Sequence, residues 1–182
     1  KKMRQLKKTF IISFFTAFAI TSAICQELND QKIHQVKIKK QRFTQVDGFI
    51  DVPENYDSPD SKIIKLPVRI IKATGSNIGA PIFYLDGGPG YSNIVSTSDT
   101  ALLKNHDFVF VGYRGADGST ILKSKKIAKA IRGLSHQLLS EESLDNMANA
   151  MKEYQLELKQ KNIDVTNYTI MQVVEDIEYV RK

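Results

Sequence analysis

The chain has 182 residues, with 26 Lys and Arg against 20 Asp and Glu and a formal net charge of +6 at pH 7. Five of those bases, Lys1, Lys2, Arg4, Lys7 and Lys8, lie in the first 25 residues, where no acid occurs, and the 21 that remain nearly balance the 20 acids. The excess charge therefore belongs to the N-terminus and argues against a nucleic-acid surface; the single cysteine, Cys25, excludes an intramolecular disulfide, and no Cys/His cluster has metal-ligand spacing.

The basic start runs into an uncharged apolar stretch, residues 9–24, that includes Phe10, Ile12, Phe14, Phe15, Phe18 and Ile20. A cationic segment, an apolar segment and small residues at its end spell a secretory signal peptide over residues 1–25, with Met3 as initiator. Ala23 and Cys25 stand three and one positions ahead of Gln26, which places the cut there and predicts an exported protein, periplasmic or extracellular. Cys25 also offers a lipid-attachment site, against which Ile24 counts, being large where a lipoprotein signal has a small residue. An apolar run of about 16 residues is short for a spanning helix, so membrane contact is expected only through this segment or such a lipid. Residues 26–182 then suffice for one domain with a core.

From residue 34 to 52 apolar and polar positions alternate, which predicts one or two exposed antiparallel strands. A turn cluster over residues 53–61 separates them from a strand at 63–73, with Ile64, Leu66, Val68 and Ile70 on one face by the period of two. Residues 82–85 and 108–113 are continuously apolar, as strands buried on both faces of a parallel sheet would be. Lys123, Lys125, Lys126, Lys129 and Arg132 form a basic run with no interleaved aromatics, so it reads as a solvated face. Leu144, Met147, Ala148, Met151, Tyr154 and Leu158 fall on one helical stripe, expected to pack in the core. Ile170, Val173, Val174, Ile177 and Val180 make a second stripe, and Thr169 with Gln172 fits a capping box at its start.

Between the two buried strands lies the stretch with most chemistry in it. Asp86, Gly87, Gly88, Pro89 and Gly90 follow an apolar strand directly, and glycine permits backbone angles and close approaches that a Cβ forbids. Such a loop is either a tight turn or a set of bare N–H groups aimed at one point, as an oxyanion hole requires.

The order of elements resembles the N-terminal half of an α/β-hydrolase, and more closely the proline iminopeptidase and tripeptidyl aminopeptidase family of serine peptidases. Residues 49–60, with Asp51, Val52, Pro53, Tyr56 and Pro59, are similar to that family's DVPLDY-x-x-P stretch. Gly87, Gly88, Pro89 and Gly90 are similar to its HGGPG signature, and Arg114, Gly115, Asp117, Gly118 and Ser119 to its D-x-R-G-x-G-x-S turn. Ile163, Asp164, Tyr168 and Thr169, then Asp176, Glu178 and Arg181, look like its GIDL-x-x-YT segment and following D-L-E-x-x-R helix. Asp86 departs from the pattern, standing where many members have histidine, and Gly112 and Tyr113 replace the usual acidic entry to the arginine turn. Asp86 is expected to point away from a developing oxyanion.

The resemblance implies a truncated α/β-hydrolase fold, with antiparallel strands leading into a mostly parallel sheet flanked by helices. It implies a peptide substrate and no cofactor or metal. Its site residues here are backbone donors: Gly88, with Gly87 beside it, as one half of the oxyanion hole. Arg114 is read as structural, with Asp176 as its partner. No G-x-S-x-G occurs in the 182 residues, so the serine, acid and histidine of a triad are expected beyond Lys182, after the helix that holds Asp176. Ser92, Ser119, His106 and His136 have no spacing that supports a substitute. The expected parent is an exported aminopeptidase; an ester-cleaving hydrolase and a non-enzymatic exported binding protein on the same scaffold are the alternatives.

Overall fold

The computed structural model describes residues 28–88, 90–133, 137 and 139–182. The segment expected to be a signal peptide, Cys25 included, lies outside the described residues, as do Pro89 and His136. What is described is mixed α/β: a five-stranded mixed sheet, a small two-stranded ribbon and three α-helices.

The expected exposed strands are a long hairpin of β1 (Asn29–Ile38) and β2 (Gln41–Pro53), paired antiparallel from Asn29–Phe49 to Ile38–Gln41. β2 pairs antiparallel with β3 (Ile63–Ile71), whose Ile64, Leu66, Val68 and Ile70 are all buried, as their period of two predicts. The next strand in the sheet is β5 (Phe108–Val111), antiparallel to β3, and β4 (Ile82–Phe83) closes the row parallel to β5. The sheet is therefore less parallel than expected. Only β4 and β5 run together, because the hairpin and the short connections of β1 to β3 force alternating directions.

β5 explains where the core sits. Val109 and Val111 pack on one face with Leu66, Val68 and Val180, while Phe108 and Phe110 pack on the other with Phe43, Ile71 and Leu103. Both faces of β5 are covered, as its unbroken apolarity requires. β4 does not match it. Ile82 and Phe83 are half-buried, and Leu85 just beyond is 59% exposed, because among the described residues β4 has a neighbour on one side only. The Tyr84 N–H still bonds Val109 O at 2.9 Å, so the strand delivers the glycine loop at a fixed height above β5.

After β5 the chain turns through β6 (Arg114–Gly115) and β7 (Asp117–Ile121). Gly118 has φ +84, and a Cβ there would come within 2.0 Å of Lys65 O, so this turn is pressed directly against β3. α1 (Lys125–Gly133) carries the basic run on an exposed face, as expected, and packs with α2 (Glu141–Gln160). Ser140 caps α2 by accepting from the Ser143 N–H, and Glu141 and Glu142 sit in the first turn, where the helix dipole favours acids. The α2 stripe is not core, contrary to expectation. Leu158 is buried, but Leu144 is 48% and Met151 55% exposed, because α2 lies beside α1 rather than across the sheet.

α3 (Ile170–Arg181) lies over the sheet and begins where the cap predicts, with the Thr169 hydroxyl accepting from the Gln172 N–H at 3.3 Å. The return bond of a capping box is absent, since Gln172 Oε1 instead accepts from the Tyr56 N–H and from Arg114. Its apolar stripe is split. Val180 is buried in the core, whereas Ile170, at the other end, is 82% exposed.

Candidate functional site

Arg114 is the centre of the buried polar structure. Its Nε donates to Asp176 Oδ2 at 2.7 Å and its Nη2 to Asp176 Oδ1 at 2.6 Å, a two-pronged pair in which neither side chain reaches solvent. Nη1 donates to Glu54 O at 2.6 Å and Asn167 O at 2.9 Å, and Nη2 reaches Pro53 O at 3.2 Å. Every guanidinium nitrogen therefore has an acceptor, which a buried arginine needs. Tyr56 adds a third donor to Asp176 through its hydroxyl, 2.9 Å from Oδ1, and lays its ring 5.6 Å from the guanidinium carbon. Burial pushes the Asp176 carboxyl above its ordinary value, against the pull of Arg114 and Tyr56. Burial likewise raises the Tyr56 hydroxyl, and burial with the bond donated to Glu54 pushes Tyr168 up to about 12.

The pairing of Arg114 with Asp176 is as read from the sequence. What the sequence did not indicate is how much converges there. Pro53, Glu54 and Tyr56 come from the end of β2 and the turn after it, Arg114 from the turn after β5, Asn167 and Tyr168 from the segment before α3, and Gln172 and Asp176 from α3 itself.

The glycine loop leaves β4 toward a cleft of about 690 Å³ lined chiefly by apolar side chains, among them Leu85, Tyr91, Ile170, Val174 and Ile177, with Asp86 and Gly88 at its border. The two predicted donors differ. Gly87 has open space where a Cβ would stand, and its N–H is already given to Asp86 Oδ1 at 2.8 Å. The Asp86 carboxylate thus folds back onto the first glycine of the loop. Gly88 has φ +118 and the Tyr91 ring 2.6 Å from its would-be Cβ, so this position requires glycine. Among the described residues nothing accepts from the Gly88 N–H, while its carbonyl takes the Tyr91 N–H at 3.1 Å.

Two residues to which the sequence assigned no part in this loop hold it in place. Asn93 is fully buried; its Oδ1 accepts the Asp86 N–H at 2.9 Å, and its Nδ2 donates to Tyr84 O at 3.1 Å and Val111 O at 2.9 Å. Asp117 Oδ2 accepts the backbone N–H groups of Asn93, at 3.0 Å, and Tyr113, at 2.9 Å. The Tyr113 hydroxyl donates to Asp86 O at 3.0 Å, and burial raises its pKa. Asp117 lies in a motif block and was readable as a turn residue; Asn93 carried no signal.

The remaining candidates have other work. Ser92 Oγ accepts the Ile94 N–H, Ser119 Oγ accepts the Lys65 N–H, and the His106 ring bonds Ala80 O at 2.8 Å. None of them meets another as nucleophile and base. Among the described residues no three His, Cys, Asp or Glu side chains gather as a metal site needs, and no helix is long and apolar enough to cross a membrane. Compared with models of known families and with curated proteins, the chain matches none.

Proposed function

We propose that the chain is the N-terminal part of an exported serine hydrolase with an α/β-hydrolase fold, of the aminopeptidase kind, in which the Gly88 N–H supplies one oxyanion donor. The observation that carries this reading is the Arg114 node. Four separate motif blocks resemble one family, and three of them, the entry block, the arginine turn and the helix block with its leading segment, meet around a single buried arginine, through the Asp176 carboxylate and the backbone carbonyls of Glu54 and Asn167. The fourth, the glycine loop, is tied to the arginine turn through Asn93, Asp117 and Tyr113. Blocks that matched by chance would have no reason to interlock.

The sheet order adds support. β4 carries the loop at its C-terminal end and has no neighbour on its outer side among the described residues, which leaves room for a parallel strand whose elbow would bring a serine to Gly88. The second oxyanion donor in such an enzyme is the N–H after that serine. Asp86 then blocks Gly87 as a donor, and the whole share of this loop falls to Gly88.

The reading is tested on the full-length protein. It should cleave N-terminal prolyl or tripeptide amides faster than short acyl esters and should be labelled by a fluorophosphonate at a serine encoded after Lys182, in a G-x-S-x-G sequence. Faster ester cleavage would move it to the esterases; a coding sequence with no such serine would sink the hydrolase reading and leave a binding protein.

A further inference from the structure

The geometry points to Asn93 as the residue that positions the glycine loop, with Asp117 orienting it; the catalytic consequence rests on the hydrolase reading, but the positioning does not. Asn93 is fully buried and each polar atom of its side chain is in use. The site demands one acceptor, for the Asp86 N–H, and two donors, for the carbonyls of Tyr84 and Val111. Among side chains of this size only an asparagine amide offers that set. Aspartate would turn a second oxygen toward two carbonyl oxygens, leucine would strand three buried groups, and glutamine is longer by a methylene.

The consequence lies in what those three bonds connect. Tyr84 directly follows β4 and still bonds β5 through its N–H, and Val111 is the last residue of β5, so Asn93 clamps the ends of two parallel neighbours. Its third bond holds Asp86 from the N–H side, while Tyr113 holds the same residue from the carbonyl side. Asp86 is therefore fixed on both sides immediately before Gly87 and Gly88. A donor stabilises a developing charge only when it is already aimed, without reorganisation at the moment of reaction. Asn93 supplies that aim without touching substrate. Asp117 supplies the reference, since one of its oxygens binds the backbone of both Asn93 and Tyr113 and so registers the loop against the arginine turn.

Asn93→Ser and Asp117→Asn in the full-length protein test this, read by amide hydrogen exchange and by kcat and KM on an N-terminal amide. Asn93→Ser should speed exchange at the bonded amides of Asp86, Gly87 and Tyr91 by about tenfold or more while β2 and β3 amides stay as in wild type. Its kcat should fall by about 100-fold, with KM within about threefold. Asp117→Asn keeps an acceptor oxygen in place and should show the same pattern at about tenfold in kcat; it carries the test if Asn93→Ser does not fold. Wild-type exchange in the loop of a folded variant overturns the inference, as does faster exchange spread evenly over the sheet. Changed exchange with unchanged kcat overturns its catalytic half. A wild-type protein without acyl-transfer activity overturns the hydrolase reading instead, and the exchange arm then decides on positioning alone.

Discussion

α2 and α3 carry apolar stripes of the same spacing and end in opposite surroundings. α3, at 12 residues, drives Asp176 and Val180 into the interior, where Asp176 meets Arg114 and Val180 joins the cluster around Leu66 and Val68. α2, at 20 residues, buries only Ser143 and Leu158 and is tied to α1 by an exposed pair, Lys126 with Glu153 at 2.7 Å. The buried polar atoms differ as well. Those of the Arg114 node are all bonded, whereas Ser143 Oγ and Tyr154 OH on α2 have no partner among the described residues. A periodic stripe states which face of a helix is apolar; whether anything covers that face is decided by chain connectivity.

The sharpest way to break the contrast is to release α3. Arg114→Ala leaves the buried Asp176 carboxylate without its counter-ion, with the Tyr56 hydroxyl still donating to it, and should cost about 3–5 kcal/mol in denaturant melts, the scale for half of a buried pair. On the proposed hydrolase reading, turnover in the full-length protein should fall less than stability does; a large loss of turnover at unchanged melting would place Arg114 in the chemistry instead. A gentler comparison matches one side chain from each helix. Val180→Ala should cost about 2–3 kcal/mol, and Met151→Ala, more than half exposed, should stay within about 0.5 kcal/mol. Equal costs would mean that the α2 stripe is covered in solution. The smallest effect is expected at the α1–α2 pair, where Lys126→Ala should leave the melting temperature unchanged at physiological salt.

The strands were readable because alternation and burial are the same fact seen twice. Ile64 to Ile70 must face one way, and Phe108 to Val111 must be covered on both. The Thr169 cap was readable because a helix start needs a local acceptor. Arg114 with Asp176 was legible through the resemblance of their blocks. The α2 stripe misled, since the pattern for a core-facing helix and for one beside a single neighbour is the same. Asn93 was illegible for a different reason: its role consists of three backbone partners at residues 84, 86 and 111, and backbone partners leave no mark on sequence. The same holds for Gly87, whose predicted donor turned out to be occupied by the neighbouring Asp86 side chain.

The Arg114 node also decides how the molecule can be divided. Its partners lie at Pro53, Glu54, Asn167 and Asp176, on both sides of it in the chain and 53 to 62 residues away. A cut anywhere between Glu54 and Arg114 parts the guanidinium from the carbonyls of the entry block, and a cut between Arg114 and Asn167 parts it from its counter-ion. Neither piece could keep the arginine neutralised and bonded. The sheet and α3 therefore form one indivisible unit, and the exposed helical pair of α1 and α2 is an excursion between two of its halves, the part of the chain where insertions, loop exchanges and reporter groups can be placed without unlocking the rest.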